Sequence, residues 1–142
     1  MSVTVVTGSW EKLGAAASAI RHEVFVVEQK VPVALELDAF DAVSLHALAT
    51  DGETALGTGR LLPDGHIGRM AVRRAARGAG VGSMLLQALM RQAQRRGDTA
   101  VVLHAQLSAA GFYRRHGYIA EGDVFMDAGI EHIAMRHTFS PG

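Results

Sequence analysis

The fold is decided by the stretch HIGRMAVRRAARGAGVGSMLLQALMRQAQRR, residues His66–Arg96. It begins with the pattern of a β-strand and ends with the apolar stripe of a helix. Between them lies the glycine-rich turn Arg77–Ser83, RGAGVGS. Glycine lets backbone N–H groups approach a ligand closely, and a helix that begins directly behind the turn adds its free N–H groups and positive dipole end. The stretch therefore predicts an anion site for a phosphate or pyrophosphate, with the guanidinium of Arg77 beside it.

The composition favours a single globular domain over residues 1–142. Hydrophobic residues make up 49% of the chain, enough for one sizeable core. Lys+Arg and Asp+Glu balance at 14 each, so the charge predicts neither nucleic-acid nor membrane binding. The chain has no cysteine, which excludes disulfides, thiol nucleophiles and thiolate metal sites. With no apolar run near about 18 residues and no signal-peptide pattern at the N-terminus, we expect a cytoplasmic protein.

The N-terminal third predicts one strand and one helix. Ser2–Thr7 is β-branched and short, which is typical of a strand. Ser9 is placed as an N-cap, and apolar residues then recur at helical spacing to about Arg21. Val24–Val27 either extends this helix or forms a second one, since the periodicity does not decide. Pro32 marks a break.

The middle of the chain predicts an antiparallel meander. Ser44–Thr50 alternates apolar and other residues, Asp51-Gly52 is a hairpin signal, and Thr54–Leu62 returns as the partner strand. Pro63–Gly65 is a second turn, and Ile67–Val72 is the third strand. Such short turns cannot connect parallel strands, so the three strands are expected to be antiparallel.

The C-terminal half predicts a parallel crossover. Val81–Arg96 is an amphipathic helix, and Thr99–Ala105 follows as an apolar strand of the kind that is covered on both faces. A strand, helix and strand in succession predict a parallel pair with Ile67–Val72. The remaining predicted elements are the helix Leu107–His116 and the strands Tyr118–Met126 and Ile130–Thr138, joined by a three-residue loop at Asp127–Gly129. We therefore expect an α/β (α+β) fold, with a mixed, mostly antiparallel sheet of six or seven strands, a central parallel pair and flanking helices.

Three known phosphate-binding patterns compete for the glycine turn. A P-loop requires Gly-Lys-Ser/Thr, and no lysine follows these glycines. A dinucleotide fingerprint requires G-x-G-x-x-G, but Ser83 occupies the third glycine position and the preceding strands form a meander. An NAD(P)-binding fold is thereby disfavoured. A purely structural interpretation, in which the glycines only permit close packing of strand and helix, stays open from this turn alone.

The third pattern, R/Q-x-x-G-x-G/A between a strand and a helix, fits Arg77-Gly78-Ala79-Gly80-Val81-Gly82 in full. Here the sequence resembles the GNAT superfamily of N-acetyltransferases. A second stretch, QLSAAGFYRRHGY at Gln106–Tyr118, matches that family's N-x-x-A-x-x-[LF]-Y-x-x-x-G-[FY] except at Gln106, where asparagine is usual. The order of elements is also similar. Short stretches such as VFVVEQ at Val24–Gln29 further resemble the sequences of the small bacterial ElaA/YjcF-like subgroup.

The resemblance implies acetyl-CoA as the donor, with its pyrophosphate on the turn and its pantetheine arm along a strand edge. The strand Thr99–Ala105 is expected to separate from Ile67–Val72 and leave a slot for the arm. Gln106 is counted with the donor site because it stands at the asparagine position of the second motif. The implied donor-binding residues are Met70, Ala71 and Val72 on the strand, then Arg77, Gly78, Ala79, Gly80, Val81, Gly82 and Ser83, and finally Gln106.

The resemblance also implies catalytic roles. Tyr113 matches the general acid that protonates the leaving sulfur, and the alternative is a tyrosine whose ring packs on the sheet. A backbone N–H near Met70 or Val72 is expected to stabilise the oxyanion. The general base is expected to be His66, at the position where the family often has glutamate, and the alternative is a surface histidine without a catalytic role. Its rivals are Glu36, Asp38 and His132, or a water molecule with no single base.

The resulting hypothesis is direct transfer of an acetyl group from acetyl-CoA to a primary amine in a ternary complex. The acceptor, a small molecule or a peptide, is expected near Val24–Asp41 and Asp127–Ile130. The acids Glu28, Glu36 and Asp38 either suit a cationic acceptor or form a solvated connector. The alternative function is a catalytically silent module that senses acyl-CoA. We expect no metal, since the histidines show no ligand spacing, and the family's habit of dimerising suggests a homodimer.

Overall fold

The described part of the chain folds around one seven-stranded sheet. The computed structural model describes residues 2–36 and 38–140. The strands are β1 Val3–Gly8, β2 Leu45–Asp51, β3 Thr54–Leu61, β4 His66–Val72, β5 Ala100–Gln106, β6 Ile119–Asp127 and β7 Ile130–Thr138. Their order across the sheet is β1-β2-β3-β4-β5-β7-β6, and β4–β5 is the parallel pair among otherwise antiparallel neighbours. The predicted mixed, mostly antiparallel sheet with a central parallel pair is confirmed.

The helices differ from the predictions at their ends and in the short helix Val33–Glu36, which was not predicted. They are α1 Trp10–Arg21, α2 Val33–Glu36, α3 Val81–Arg95 and α4 Ala110–Arg115. A π-helical turn, His22–Glu28, continues α1 directly, so the first of the two readings of Val24–Val27 is correct. The predicted helix Leu107–His116 begins instead as a 3₁₀ turn, Leu107–Ala109, and α4 is only its second half.

Two local predictions can be compared in detail. Ser9 caps α1 as expected, because its Oγ accepts a hydrogen bond from the backbone N–H of Lys12 at 3.3 Å. The loop between β6 and β7 was predicted one residue too long. Ala128 and Gly129 alone connect the strands, and both have positive φ, the geometry of a tight two-residue hairpin turn.

The helices cover opposite faces of the sheet. Ile20 and Val24 pack with Leu48 and Ala71 on the α1 face. The other face carries the larger core, which is formed by buried side chains of α3, α4 and the central strands: Ala47, Ala49, Leu61, Ile67, Leu85, Leu86, Leu89, Val101, Leu103, Tyr113 and Met135. The predicted stripe on α3 is confirmed, since its buried apolar side chains face this core and the polar side chains of the opposite face lie exposed, namely Gln87, Arg91, Gln94 and Arg95.

A β-bulge interrupts β4 next to the crossover. Thr58 and Arg60 of β3 pair with Ala71 and Gly68, so that two residues of β4 lie opposite one residue of β3. Arg69, in the bulge, has a left-handed backbone with φ 48°. A bulge of this kind shifts the alternation of side chains and re-aims one of them. The side chain of Arg69 is thereby directed toward Leu35, Glu36 and Asp38, to which it donates hydrogen bonds.

The parallel pair of strands separates soon after it begins. His66 pairs with Val102 and Ile67 with Leu103, and those are the bridges between β4 and β5. From Gly68 to Val72 the backbone of β4 has no partner on the β5 side among the described residues. The slot expected from the resemblance is therefore present. Its five β4 residues span about 13 Å, and the N–H and C=O groups that do not pair with β3 are available to a ligand, apart from the carbonyl of Val72, which accepts a hydrogen bond from Arg77.

Candidate active site

The slot widens into a cleft of about 250 Å³. The β4 side contributes Gly68, Arg69 and Met70 to its lining. The β5 side contributes His104 and Gln106, and Tyr113 of α4 completes the wall. The π-helical turn and the β6–β7 turn form the outer rim through Phe25, Gln29, Asp127 and Ala128. The fold thus brings Met70 of β4 together with Gln106 and Tyr113 of the second motif at one cleft.

The glycine turn lies at the C-terminal end of β4, where the slot opens. Gly78 and Gly80 have φ values of 83° and 82°, and no atom lies within 4 Å of the point where a Cβ would project from either. Gly80 is also the residue directly before α3. Positive φ is accessible to glycine without strain. The turn is therefore open in front of α3, whose first N–H groups lack acceptors within the helix, and this arrangement can bind an anion.

Two predicted donor residues already have partners inside the protein. The Nη2 group of Arg77 donates to Oε1 of Glu28 at 2.9 Å, and its Nε donates to the carbonyl of Val72 at 2.9 Å. Arg74 approaches the other oxygen of Glu28 at 3.3 Å. The hydrogen bond from Arg77 holds the pKa of the Glu28 carboxyl below its ordinary value. Ser83 Oγ lies 2.9 Å from Nε2 of His116. Glu28 is therefore paired with two arginines beside the glycine turn and is not free to attract a cation.

Behind the cleft lies an arginine–carboxylate network formed by Arg21, Arg60 and Arg69 with Glu36, Asp38 and Asp41. Arg21, which is 1% exposed, is bonded to Glu36 and holds both oxygens of Asp41 at 2.7 and 3.1 Å. Arg60 holds Asp38 at 2.7 and 2.8 Å and also reaches Asp41 at 2.9 Å. Three arginines thereby neutralise three carboxylates at one side of the cleft.

Glu36 and Asp38 belong to the connector between α1 and β2, and they were expected either to bind a cationic acceptor or to be solvated. The network corrects both interpretations. Glu36 is 6% exposed and bonded to Arg21, so it is neither solvated nor free to attract an ammonium group. Asp38 is held by Arg60 and Arg69. Hydrogen bonding from Arg60 keeps the pKa of Asp38 below its ordinary value despite partial burial, which makes it a weak proton acceptor. The connector is a structural wall of the cleft.

Hydrogen bonds from Arg69 connect this wall of the cleft to the β-bulge in β4. Its Nε donates to the carbonyl of Glu36 at 3.2 Å, and its Nη2 donates to Asp38 at 3.1 Å and to the carbonyl of Leu35 at 3.4 Å. Leu35 and Glu36 also line the cleft. The strained backbone at Arg69 therefore places a cation where it fixes the position of two lining residues.

Tyr113 of α4 is a buried residue that lines the cleft. Its ring is 8% exposed and packs edge-on against Phe112 and Tyr118, with centroid distances of 5.1 and 5.8 Å. Burial raises the pKa of the Tyr113 phenol to about 12, so the hydroxyl stays protonated throughout the neutral range. Tyr113 therefore packs its ring in the core, as the alternative interpretation expected, and the same side chain also reaches the cleft.

The histidines form a row across the sheet that the sequence did not predict. His66 lies beside the cleft rather than in its lining, with Nδ1 3.0 Å from Oδ1 of Asp64. Its ring meets His104 at a centroid distance of 5.7 Å, and His104 meets Phe125 at 5.2 Å. His132 of β7 stacks on Phe125, with a centroid distance of 5.8 Å. His104 and His132 both line the cleft.

His104 was missed because β5 was interpreted as covered on both faces. Val101, Leu103 and Ala105 are buried, whereas His104 is exposed. The signal was present in TAVVLHA, since a single polar residue stands in an otherwise apolar strand. Gln106, on the same face, forms a hydrogen bond from its Nε2 to Oε1 of Gln29 at 2.8 Å. The face of β5 next to the slot is thus a polar wall.

The described residues, 2–36 and 38–140, contain neither a membrane-spanning helix nor a metal-binding group. No helix in these ranges is both long and apolar enough to cross a membrane. No group of three or more His, Asp or Glu side chains in the same ranges is arranged to hold a metal ion.

Comparison with known proteins agrees with this geometry. Residues 11–139 match the family described as Acetyltransferase (GNAT) domain. The uncharacterized N-acetyltransferase YjcF of Bacillus subtilis (strain 168) is 40% identical over 120 residues, which are 82% of this chain and 86% of YjcF. An acyl-CoA N-acyltransferase from Pseudomonas aeruginosa is 33% identical, with a TM-score of 0.86 and coverage of 96% of this chain and 100% of that one. Escherichia coli ElaA is 26% identical, with a TM-score of 0.86 and coverage of 96% and 99%.

The chain therefore belongs to the GNAT family of acetyltransferases. Its sheet, its separated parallel strands and its glycine turn are the fold of that family in this sequence. The resemblance drawn from the two motifs is confirmed, including the likeness to YjcF and ElaA.

Proposed function

We propose that the protein transfers an acetyl group from acetyl-CoA to a primary amine by direct attack within a ternary complex. The observation that carries this proposal is the unpaired edge of β4 from Gly68 to Val72. The edge runs from an open anion site at the glycine turn to a closed end beside Tyr113. A donor with a pyrophosphate, an amide-rich arm and a terminal thioester suits this sequence of features. The name of the Pseudomonas relative, an acyl-CoA N-acyltransferase, supports the same class of donor.

The donor-binding residues are proposed by function. The backbone N–H groups from Gly78 to Ser83 (Gly78, Ala79, Gly80, Val81, Gly82 and Ser83) would hold the pyrophosphate, and Arg77 would add a charge. Met70, Ala71 and Val72 would pair with the amides of the pantetheine arm through their backbone, since Ala71 itself is buried. Gln106 would form part of the β5 wall of the slot that holds the donor. A backbone N–H of the bulge, at Met70, would stabilise the oxyanion.

The chemistry can be followed atom by atom. The neutral amine nitrogen attacks the carbonyl carbon of the thioester, and the C–S bond breaks as the C–N bond forms. Tyr113 donates its proton to the leaving sulfur, and the tyrosinate regains a proton from solvent. The amine loses one proton to a base, for which the imidazoles at the closed end of the slot, His66 and His104, are the candidates. No covalent enzyme intermediate is needed, in keeping with the lack of cysteine.

A thiol-release assay with acetyl-CoA and a panel of primary amines tests the proposal. We expect amine-dependent release of CoA with matching formation of the N-acetyl product. Binding of acetyl-CoA without release for any amine would instead support an acyl-CoA-sensing module. Failure to bind acetyl-CoA would contradict both acetyl transfer and acyl-CoA sensing.

Replacing Tyr113 with phenylalanine is expected to lower kcat by about 10²-fold or less, because one general acid contributes on that scale. The dissociation constant for acetyl-CoA should change little, since the ring and its packing remain. Calorimetric titration and steady-state kinetics measure the two quantities. The matched control is Tyr118→Phe, whose buried hydroxyl has no hydrogen-bond partner among the described residues. Tyr118→Phe should keep full activity, and full activity in Tyr113→Phe would leave that hydroxyl without a catalytic role.

Replacing Glu28 with glutamine is expected to tighten acetyl-CoA binding by up to about fivefold, the scale of an exposed ion pair. The change frees Arg77 from its carboxylate partner and removes a negative charge near the phosphates. The gain should fade as salt is raised. Glu23→Gln is the control, because Glu23 pairs with Arg73 at 3.3 Å and not with Arg77. Equal affinities for the wild type and Glu28→Gln would place Arg77 outside the donor site.

A further inference from the structure

His104 occupies the closed end of the slot. Leu103 makes the last bridge from β5 to β4, so His104 is the first residue of β5 beyond the point of separation. Its side chain lines the cleft together with Tyr113. If the donor's phosphates bind at the glycine turn, the slot carries its reactive end along the five residues from Val72 to Gly68 toward this point. His104 therefore faces the position where the thioester and the attacking amine would meet.

The other candidate bases are less well placed. Glu36 and Asp38 are bonded to arginines of the network. His66 lies on the paired part of β4, outside the lining of the cleft, and its Nδ1 faces Asp64. His132 lines the cleft, but β7 is one strand further from the slot than β5. Among these side chains, His104 alone lies on a strand that borders the slot and also projects into the cleft.

The surroundings of His104 hold its ring in place and keep it neutral. The ring is packed edge-on to His66 of β4 and Phe125 of β6, both at interplanar angles of 80°. Partial removal of its ring from water lowers the pKa of His104, although the residue as a whole is exposed, and the imidazoles of His66 and His132 lower it further, while Asp127 acts in the opposite direction. A neutral imidazole offers one nitrogen lone pair as a proton acceptor.

We infer that His104 is the general base, which accepts the proton that the amine loses as its nitrogen bonds to the acetyl carbon. The inference rests on the proposed function and adds the residue that completes it. The proton passes from the amine nitrogen to a ring nitrogen of His104, and the imidazolium releases it to solvent when the products leave. His66 acts as a positioning residue, since it fixes the ring of His104 from the β4 side.

Kinetics on His104→Gln test the role. For the best amine of the panel, we expect kcat/KM at pH 7 to fall by about 10²- to 10⁴-fold. We also expect the acid limb of the wild-type pH profile, which reports a neutral base, to be replaced by a steady rise with pH. The dissociation constant for acetyl-CoA should be unchanged. In His104→Ala, added imidazole should restore part of the rate, which a purely structural role for His104 would not permit.

Three histidine variants serve as comparisons. His22→Gln, at an exposed position away from the cleft, should keep the wild-type rate and profile. His66→Gln should keep the acid limb but move it to higher pH, because His66 lowers the pKa of His104. If His132→Gln loses the limb while His104→Gln keeps it, the base is His132 and the inference is overturned.

A measurement on the wild type alone separates this inference from the proposed function. Imidazole ¹H–¹⁵N spectra, recorded against pH without any amine, should show His104 titrating below the ordinary value of about 6.5. Titration of His104 at or above that value would overturn the inference even if acetyl transfer is confirmed. Conversely, a wild type that binds acetyl-CoA and releases no thiol would overturn the proposed function, and with it a catalytic base of any identity.

Discussion

Replacing Gly80 with aspartate is expected to abolish acetyl-CoA binding while the protein stays folded. A side chain at this position projects into the open space in front of α3, where the pyrophosphate would bind. Two unit charges 4 Å apart interact by about 4 kcal/mol at an effective dielectric constant of 20, which corresponds to about a thousandfold in affinity. The backbone tolerates the change, because aspartate adopts positive φ more readily than most residues and the helix dipole favours an acid at this end.

Gly80→Asn is the matched control for this variant. Asparagine has nearly the size of aspartate and the same tolerance of positive φ, but no charge. Calorimetric titration with acetyl-CoA should show Gly80→Asp binding at least about 100-fold more weakly than Gly80→Asn. Thermal unfolding should give similar Tm values for both. Affinity equal to that of the wild type in Gly80→Asp would move the donor phosphates away from this turn.

Replacing Arg21 with methionine is expected to cost about 3–5 kcal/mol of the free energy of unfolding, the scale for breaking a buried ion pair by removing one partner. Arg21 is 1% exposed, and its removal leaves Glu36 buried without its cation. Asp41 retains only Arg60. Since small domains are stable by about 5–15 kcal/mol in total, the loss is a large share of the fold's stability. Urea denaturation followed by circular dichroism measures it.

Two comparisons test whether the cost comes from the stranded charge. Arg136→Met removes one partner of an exposed pair, Arg136 with Glu121, and should cost less than about 1 kcal/mol. The double variant Arg21→Met/Glu36→Leu removes both members of the buried pair and should recover part of the loss. A cost below about 1 kcal/mol for Arg21→Met alone would mean that the network does not stabilise the fold.

The same network predicts how stability depends on acid. Burial alone would raise the pKa of Asp41, but hydrogen bonds and charges from Arg21 and Arg60 outweigh it and hold that pKa below its ordinary value. A carboxyl whose pKa is lower in the folded state contributes stability above its unfolded pKa, near 3.9. That contribution is lost as the pH falls through the folded value. Arg21→Met should therefore unfold with a weaker dependence on pH in this range than the wild type.

Features that depend on neighbouring residues could be predicted from the sequence. The meander follows from turn signals such as Asp51-Gly52, because short turns permit only antiparallel pairing. The helix α3 follows from its apolar stripe, and the glycine turn follows from the need for positive φ at Gly78 and Gly80. The two motifs, spaced along the chain, were sufficient to indicate the family.

Predictions failed where the answer depended on contacts between distant segments. The acids of the connector were interpreted as solvated or acceptor-binding, because nothing in a sequence says which arginine a carboxylate will meet. Arg21 meets Asp41 across 20 positions, and Arg77 meets Glu28 across 49. The same limit explains His104, whose position at the end of the slot depends on where β4 and β5 cease to pair.

The sequence by itself determined the order of the elements, because that order depends on local periodicity. It also determined the backbone of the glycine turn, which depends on the conformational freedom of glycine, and the positions of the residues in the two motifs. The tertiary structure alone decided that β4 bulges at Arg69 and separates from β5 after Ile67. It also decided that arginines neutralise the acidic wall and that His104 rather than His66 lines the cleft. Those outcomes depend on strand register and on charge pairing in space, which neighbouring residues in a sequence do not specify.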